Sequence, residues 1–94
     1  MAQAPEDRLL KYMLALELEK ISDHDRSLQL LAELMQDDPP YVPAFLMAGQ
    51  QQATTGQVEA ARATWENGIR AARRQNDEHA AGEMIQFLQE TEVR

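Results

Sequence analysis

The sequence predicts an all-α protein of about five helices, and three observations predict it. Leu, Ala, Met, Glu, Gln and Arg dominate the 94 residues, and these are good helix formers. Apolar residues recur at spacings of three and four, the helical period, rather than at two. Long runs of β-branched residues, from which a sheet would be built, are absent. A chain of this length has material for one domain and buries a modest share of its surface, so closely packed helices are the economical solution.

The elements follow in order. Pro5, Glu6 and Asp7 open the first helix, since Pro is tolerated in a first turn and acids suit the positive end of the helix. Leu10, Met13, Leu14, Leu18 and Ile21 then recur at helical spacing. Ser22, followed by Asp25 three residues later, reads as the N-cap of a second helix that carries Leu28, Leu31, Leu34 and Met35. Asp37-Asp38-Pro39-Pro40 stops it, because two prolines forbid continuation. A third helix starts near Pro43 and runs through Phe45, Leu46, Ala48, Gly49 and Gln52 to a turn at Thr54-Thr55-Gly56. A fourth spans about 57–74, with Val58, Ala61, Trp65 and Ile69 on one face. Asn76 is the expected N-cap of the last helix, where Ala81, Met84, Ile85 and Leu88 keep the period before it frays after Glu90.

Charge narrows the function. The net charge is −7, with nine acids against four bases up to Pro40 and seven against five beyond it. Nucleic acids and anionic membranes select for positive surface, so neither is an expected partner. Arg70, Arg73 and Arg74 form the one local exception, and read as the basic last turn that the helix dipole favours. With no Cys, disulfides, thiolate catalysis and Cys-based metal sites are excluded, which fits a reducing cytoplasm. The first residues carry no basic cluster, and Lys11 and Glu17 interrupt the apolar stretch from Leu9 to Leu18, so neither a signal peptide nor a membrane span is expected.

A shift of 34 residues lays the first two helices on the next two. Leu14 falls on Ala48, Ala15 on Gly49, Ser22 on Gly56, Ser27 on Ala61, Leu31 on Trp65 and Met35 on Ile69. Phe45, Ala48-Gly49, Gln52, Ala61 and Trp65 in the second unit follow the spacing of a known signature: an aromatic, Leu-Gly, Tyr, Ala and a second aromatic. The first unit reads Lys11, Leu14-Ala15, Leu18, Ser27, Leu31 and Pro39. Over about residues 8–75 the chain therefore resembles the tetratricopeptide-repeat family. Ala48 and Gln52 depart from the pattern, Arg73 stands at its Pro position, and the first unit has no aromatic.

The resemblance implies a right-handed superhelix of antiparallel helix pairs. The expected organisation is one domain over 1–94, with repeat one at about 8–41, repeat two at about 42–75 and a capping helix at about 76–91. Gly49, Ala15, Ala61 and Ser27 are expected to let paired helices approach, and Trp65, Leu31 and Phe45 to fill the space between units. Gly56 is expected in a left-handed turn. Gly68 and Gly82 lie inside helices, and are expected to admit a neighbouring helix.

Catalytic and metal chemistry find little support. His24 lies in a polar turn between Asp23 and Asp25. His79 and Glu83 could supply two ligands, whereas metal sites usually need three or four. No Gly-rich phosphate loop exists, and no Ser has a base near it in sequence. No catalytic residue, metal or cofactor is expected.

The family resemblance points instead to a concave face lined by the first helix of each unit. Here that face would carry Leu9, Tyr12, Leu16 and Glu19, then Pro43, Leu46, Gln50 and Ala53, each set a stripe at helical spacing. Some family members hold a C-terminal carboxylate there with Lys, Asn and Arg. Tyr12, Leu16 and Gln50 stand at matching positions, so that clamp is absent. The expected role is a non-catalytic scaffold or binding module that takes a protein or peptide on an apolar surface. A homodimer using the same stripe is the alternative, and a small enzyme or metal protein a more distant one.

Overall fold

The computed structural model describes residues 5–92, and all the regular structure among them is helical. The helices are α1 (Pro5–Lys20), α2 (His24–Met35), α3 (Val42–Thr54), α4 (Val58–Arg74) and α5 (Glu78–Glu92). Each packs against its neighbours in sequence, and α3 also touches α5. The result is the expected superhelix of antiparallel pairs. α2 and α4 start 34 residues apart, in register with the sequence repeat.

Three of the four connections are the same tight turn. Ser22, Gly56 and Asn76 take left-handed φ values of 64°, 87° and 62°. The amide of the next residue reaches back across each helix end: Asp23 to the Leu18 carbonyl at 2.9 Å, Gln57 to Gln52 at 2.7 Å and Asp77 to Ala72 at 2.8 Å. This closes carbonyls the helix would otherwise leave open. It also corrects two caps. Ser22 and Asn76 are left-handed turn residues, a conformation an N-cap does not adopt. The caps are Asp23, which accepts from the Arg26 amide at 3.4 Å, and Asp77, which accepts from the Ala80 amide at 3.1 Å.

The α2–α3 connection is different. Arg8 fastens it, pairing with Asp37 at 3.2 Å and donating to the Pro39 carbonyl at 2.8 Å. Gln75 donates to the Pro40 carbonyl at 2.8 Å from the other side. Pro39, whose peptide bond to Asp38 is cis, is exposed: its place in the repeat is that of a turn residue and not of a core one.

Two apolar clusters hold the layers together. Ala15, Leu31, Leu34, Ala44 and Ala48 form the first, between α1, α2 and α3. Val42, Phe45, Ala61, Trp65, Ala71, Ala72, Ala80, Ala81 and Met84 form the second, which joins α3, α4 and α5. The small residues sit where the alignment places them. A Cβ on Gly49 would run into the Trp65 indole, and one on Gly68 into Met84 and Phe45. Gly68 thus admits both α3 and α5. Gly82 departs from expectation: it faces open space, since no described helix follows α5 to be admitted.

A polar link crosses the first cluster. Ser27 Oγ donates to the Ala15 carbonyl at 2.7 Å and accepts from Gln51 Nε2 at 2.9 Å, and both side chains are buried. Ser27→Ala is expected to destabilise by about 1–3 kcal/mol, because the Gln51 amide loses its partner away from water. The double variant Ser27→Ala/Gln51→Leu is expected to recover most of that in urea titration. Additive losses would show that the link contributes nothing.

Candidate functional site

The two predicted stripes lie on α1 and α3. On α1, Leu9 is half exposed and Leu16 partly so. Tyr12 between them tilts against Tyr41, with ring centroids 5.5 Å apart, and Arg8 lies over the Tyr41 ring at 5.0 Å. Burial, and secondarily Tyr41, pushes the Tyr12 phenol above its ordinary value of 10. Glu19 ends the stripe in a 2.6 Å contact with His24 Nδ1. Its row is thus apolar at one end and charged at the other.

On α3 the stripe is more enclosed. Pro43 is half-buried and Gln50 exposed. Leu46 and Ala53 pack against the second cluster, and the Leu46 carbonyl receives the Trp65 indole N–H in a stretched 3.5 Å contact. Phe87 of α5 stacks on Trp65 at 5.1 Å, and α5 packs on α3 as well as α4. Part of the α3 row thus belongs to the periphery of the second cluster.

Further exposed apolar side chains lie on α1 and in the turn that follows it. Leu10, Met13, Leu14 and Ile21 are 61, 50, 52 and 72% exposed. Leu14, a signature position, is open, whereas Ala48 at the equivalent place is fully buried. The difference lies in the neighbour: Ala48 rests on the helix pair before it, and α1 is the first helix described.

The polar candidates resolve into surface pairs. His24 engages Glu19 rather than Asp23 or Asp25, and His79 sits 3.9 Å from Glu83 with both exposed. Among the described residues no group of three or more His, Cys, Asp or Glu could hold a metal. Arg70 engages Asn67, and Arg73 lies 3.7 Å from Glu78. Arg70 and Arg74 edge an open depression of about 370 Å³ between α2 and α4, floored by Met35, Phe45 and Ala71. No described helix is long and apolar enough to cross a membrane.

Three contributors escaped the sequence reading. Gln51 sits in a run of three glutamines, and nothing local marks it as the buried one. Arg62 crosses to α5, donating to the Leu88 carbonyl at 3.0 Å and to Thr91 Oγ1 at 2.7 Å. Phe87 stands three residues after Met84, so the helical period offered a signal for it.

No family model matches the chain. A TPR repeat-containing protein of Pseudomonas aeruginosa is 27% identical over 88 residues, covering 94% of this chain and 84% of that protein. The solution NMR structure of a tetratricopeptide repeat domain protein from Salinibacter ruber superimposes with a TM-score of 0.86 at 29% identity, over 96% of this chain and 91% of that one. A crystal structure of a tetratricopeptide repeat domain protein from the same organism gives 0.80 at 27%, over 90% and 94%. The resemblance read from the spacing of small and aromatic residues is thereby borne out.

Proposed function

We propose that this chain, which has the fold of the tetratricopeptide-repeat family, is a non-catalytic interaction module, a single domain of two repeats and a closing helix. It takes an apolar segment of a partner polypeptide along Leu9, Tyr12 and Leu16 of α1 and Pro43, Leu46, Gln50 and Ala53 of α3. The observation that carries this reading is the row Leu9–Tyr12–Leu16. Three apolar or aromatic side chains at helical spacing remain at least partly open on the face the family uses for peptides.

The chemistry of the row selects the partner. Apolar residues fill its centre, and Glu19 closes one end while the protein as a whole carries −7. An amphipathic helix with an apolar face and basic flanks complements that surface. The charge opposes an RNA partner, and retention of RNA on a filter at low salt would overturn that part of the reading.

Titration with neutral-to-basic amphipathic helical peptides, followed by amide NMR, tests the proposal. Shifts are expected at Leu9, Tyr12, Leu16 and Leu46. Leu16→Glu is expected to weaken binding by roughly tenfold or more, since a charge is then desolvated in the contact, while leaving helix content intact. Loss of the circular dichroism signal in that variant would make Leu16 a core residue and the row no binding surface. Shifts confined to other faces would equally sink the assignment.

A further inference from the structure

The internal repeat shows what kind of surface the open side of α1 is. A shift of 34 residues carries Leu10, Met13 and Leu14 to Ala44, Met47 and Ala48. In α3, Ala44 and Ala48 are fully buried, and Met47 packs on the same cluster, against Ala15, Leu31 and Leu34 of the preceding pair. The same three places on α1 are at least half exposed, and two of them hold Leu where α3 has Ala. They form a stacking face that no helix covers among the described residues.

The groove beside that face tells the same story. Leu14, Leu18 and Leu30 line an open depression of about 360 Å³ between α1 and α2, together with Arg26, Gln29 and Glu33. The 34-residue shift takes Leu30 to Thr64 and Glu33 to Asn67, which line the depression between α2 and α4. Two of the six lining positions of the first depression thus recur in the second.

Two features say what covers the leucine face. The far end of the array is polar: α5 exposes His79, Glu83, Gln86, Gln89 and Glu90. Head-to-tail stacking of copies would set this acidic face on the leucine row, so it is disfavoured. A two-fold contact instead sets leucine row on leucine row. The groove is also self-complementary in charge. Arg26 and Glu33 stand seven residues apart on α2, on either side of Leu30. A two-fold axis near Leu14 and Leu30 brings Arg26 of each copy to Glu33 of the other. Their side chains are 76% and 49% exposed, so both can reach outward from their present partners Asp23 and Lys11.

We propose that a second copy of this chain docks on the Leu10–Met13–Leu14 face and its Leu18–Leu30 groove, forming a two-fold homodimer. Leu14, two residues from both Tyr12 and Leu16, points to the other side of α1 from them, while Met13, four residues after Leu9, borders the row. Leu14→Glu and Leu16→Glu therefore change opposite sides of α1, and they test this reading and the proposed peptide row separately.

Sedimentation equilibrium of the full chain tests it. The wild type is expected to run at twice the chain mass. Leu14→Glu is expected to weaken the dimer by roughly a hundredfold or more, since two charges would be buried near the axis. Leu10→Lys is expected to give the same result from a second exposed position, and both variants should keep the wild-type circular dichroism. Arg26→Glu and Glu33→Arg are each expected to weaken it about tenfold, and an equimolar mixture of the two to restore it, because both cross-axis pairs are again opposite in sign. Leu16→Glu should leave the mass unchanged. A monomer at about 1 mM, a dimer intact in Leu14→Glu, a dimer lost only in Leu16→Glu, or a mixture that fails to restore association would each overturn the proposal.

Discussion

Replacing Trp65 with Ala is expected to lower the unfolding free energy by about 3–5 kcal/mol, the range for truncating a buried aromatic. Trp65 is 2% exposed and belongs to the cluster that joins α3, α4 and α5. Its indole covers Gly49 on α3 and stacks on Phe87 of α5. Removing it opens a void between three helices at once, and neighbours anchored on separate helices collapse poorly into such a space. A chain of this size holds only about 5–15 kcal/mol in total. The melting temperature should therefore fall by more than about 12 °C, at 4–8 °C per kcal/mol. A loss below about 1 kcal/mol would mean that α5 is not held by this contact, and would contradict the packing of the second cluster.

The second large effect comes from the other side of the same contact. Gly49→Ala adds one methyl group to a helix interior, which by propensity alone should stabilise by about 1 kcal/mol. The added Cβ meets the indole ring, however, and that ring is wedged against Phe87 and cannot swing away. Overpacking of this kind costs about 1–3 kcal/mol or somewhat more, and here it outweighs the propensity gain. The expected result is net destabilisation in urea titration. In a Trp65→Ala background the same substitution should instead become neutral or stabilising, because the obstructing ring is gone. A double-mutant cycle with a coupling of opposite sign, or with none, would show that the two residues do not share a site.

These two residues also show how far the chain could be read without its fold. Gly49 and Trp65 stand out at repeat positions: one was expected to let paired helices approach and the other to fill the space between units, and the structure sets the indole directly on the glycine. The same reasoning located all five helices to within a few residues and placed Gly56 in a left-handed turn. It misplaced the caps at Ser22 and Asn76 by one position. Ser and Asn suit both a cap and a left-handed turn, and only the backbone closure onto Leu18 and Ala72 distinguishes the two. For the candidate site, the sequence marked a row on α1 that remains partly open. It did not foresee that Leu46 and Ala53 of the α3 row would pack against the second cluster.

What the sequence alone determined is local and periodic: helix number, turn positions, the 34-residue step, and small residues where helices cross. Those features rest on backbone preference and on spacing along one helix, which a linear chain carries explicitly. Tertiary structure decided which apolar residues would be buried. Leu14 and Ala48 occupy the same place in the repeat, yet one is open and the other sealed. Periodicity assigns a residue to a face, whereas burial depends on whether another helix stands against that face. Ala48 has the preceding helix pair as its neighbour, and Leu14 on α1 has none among the described residues.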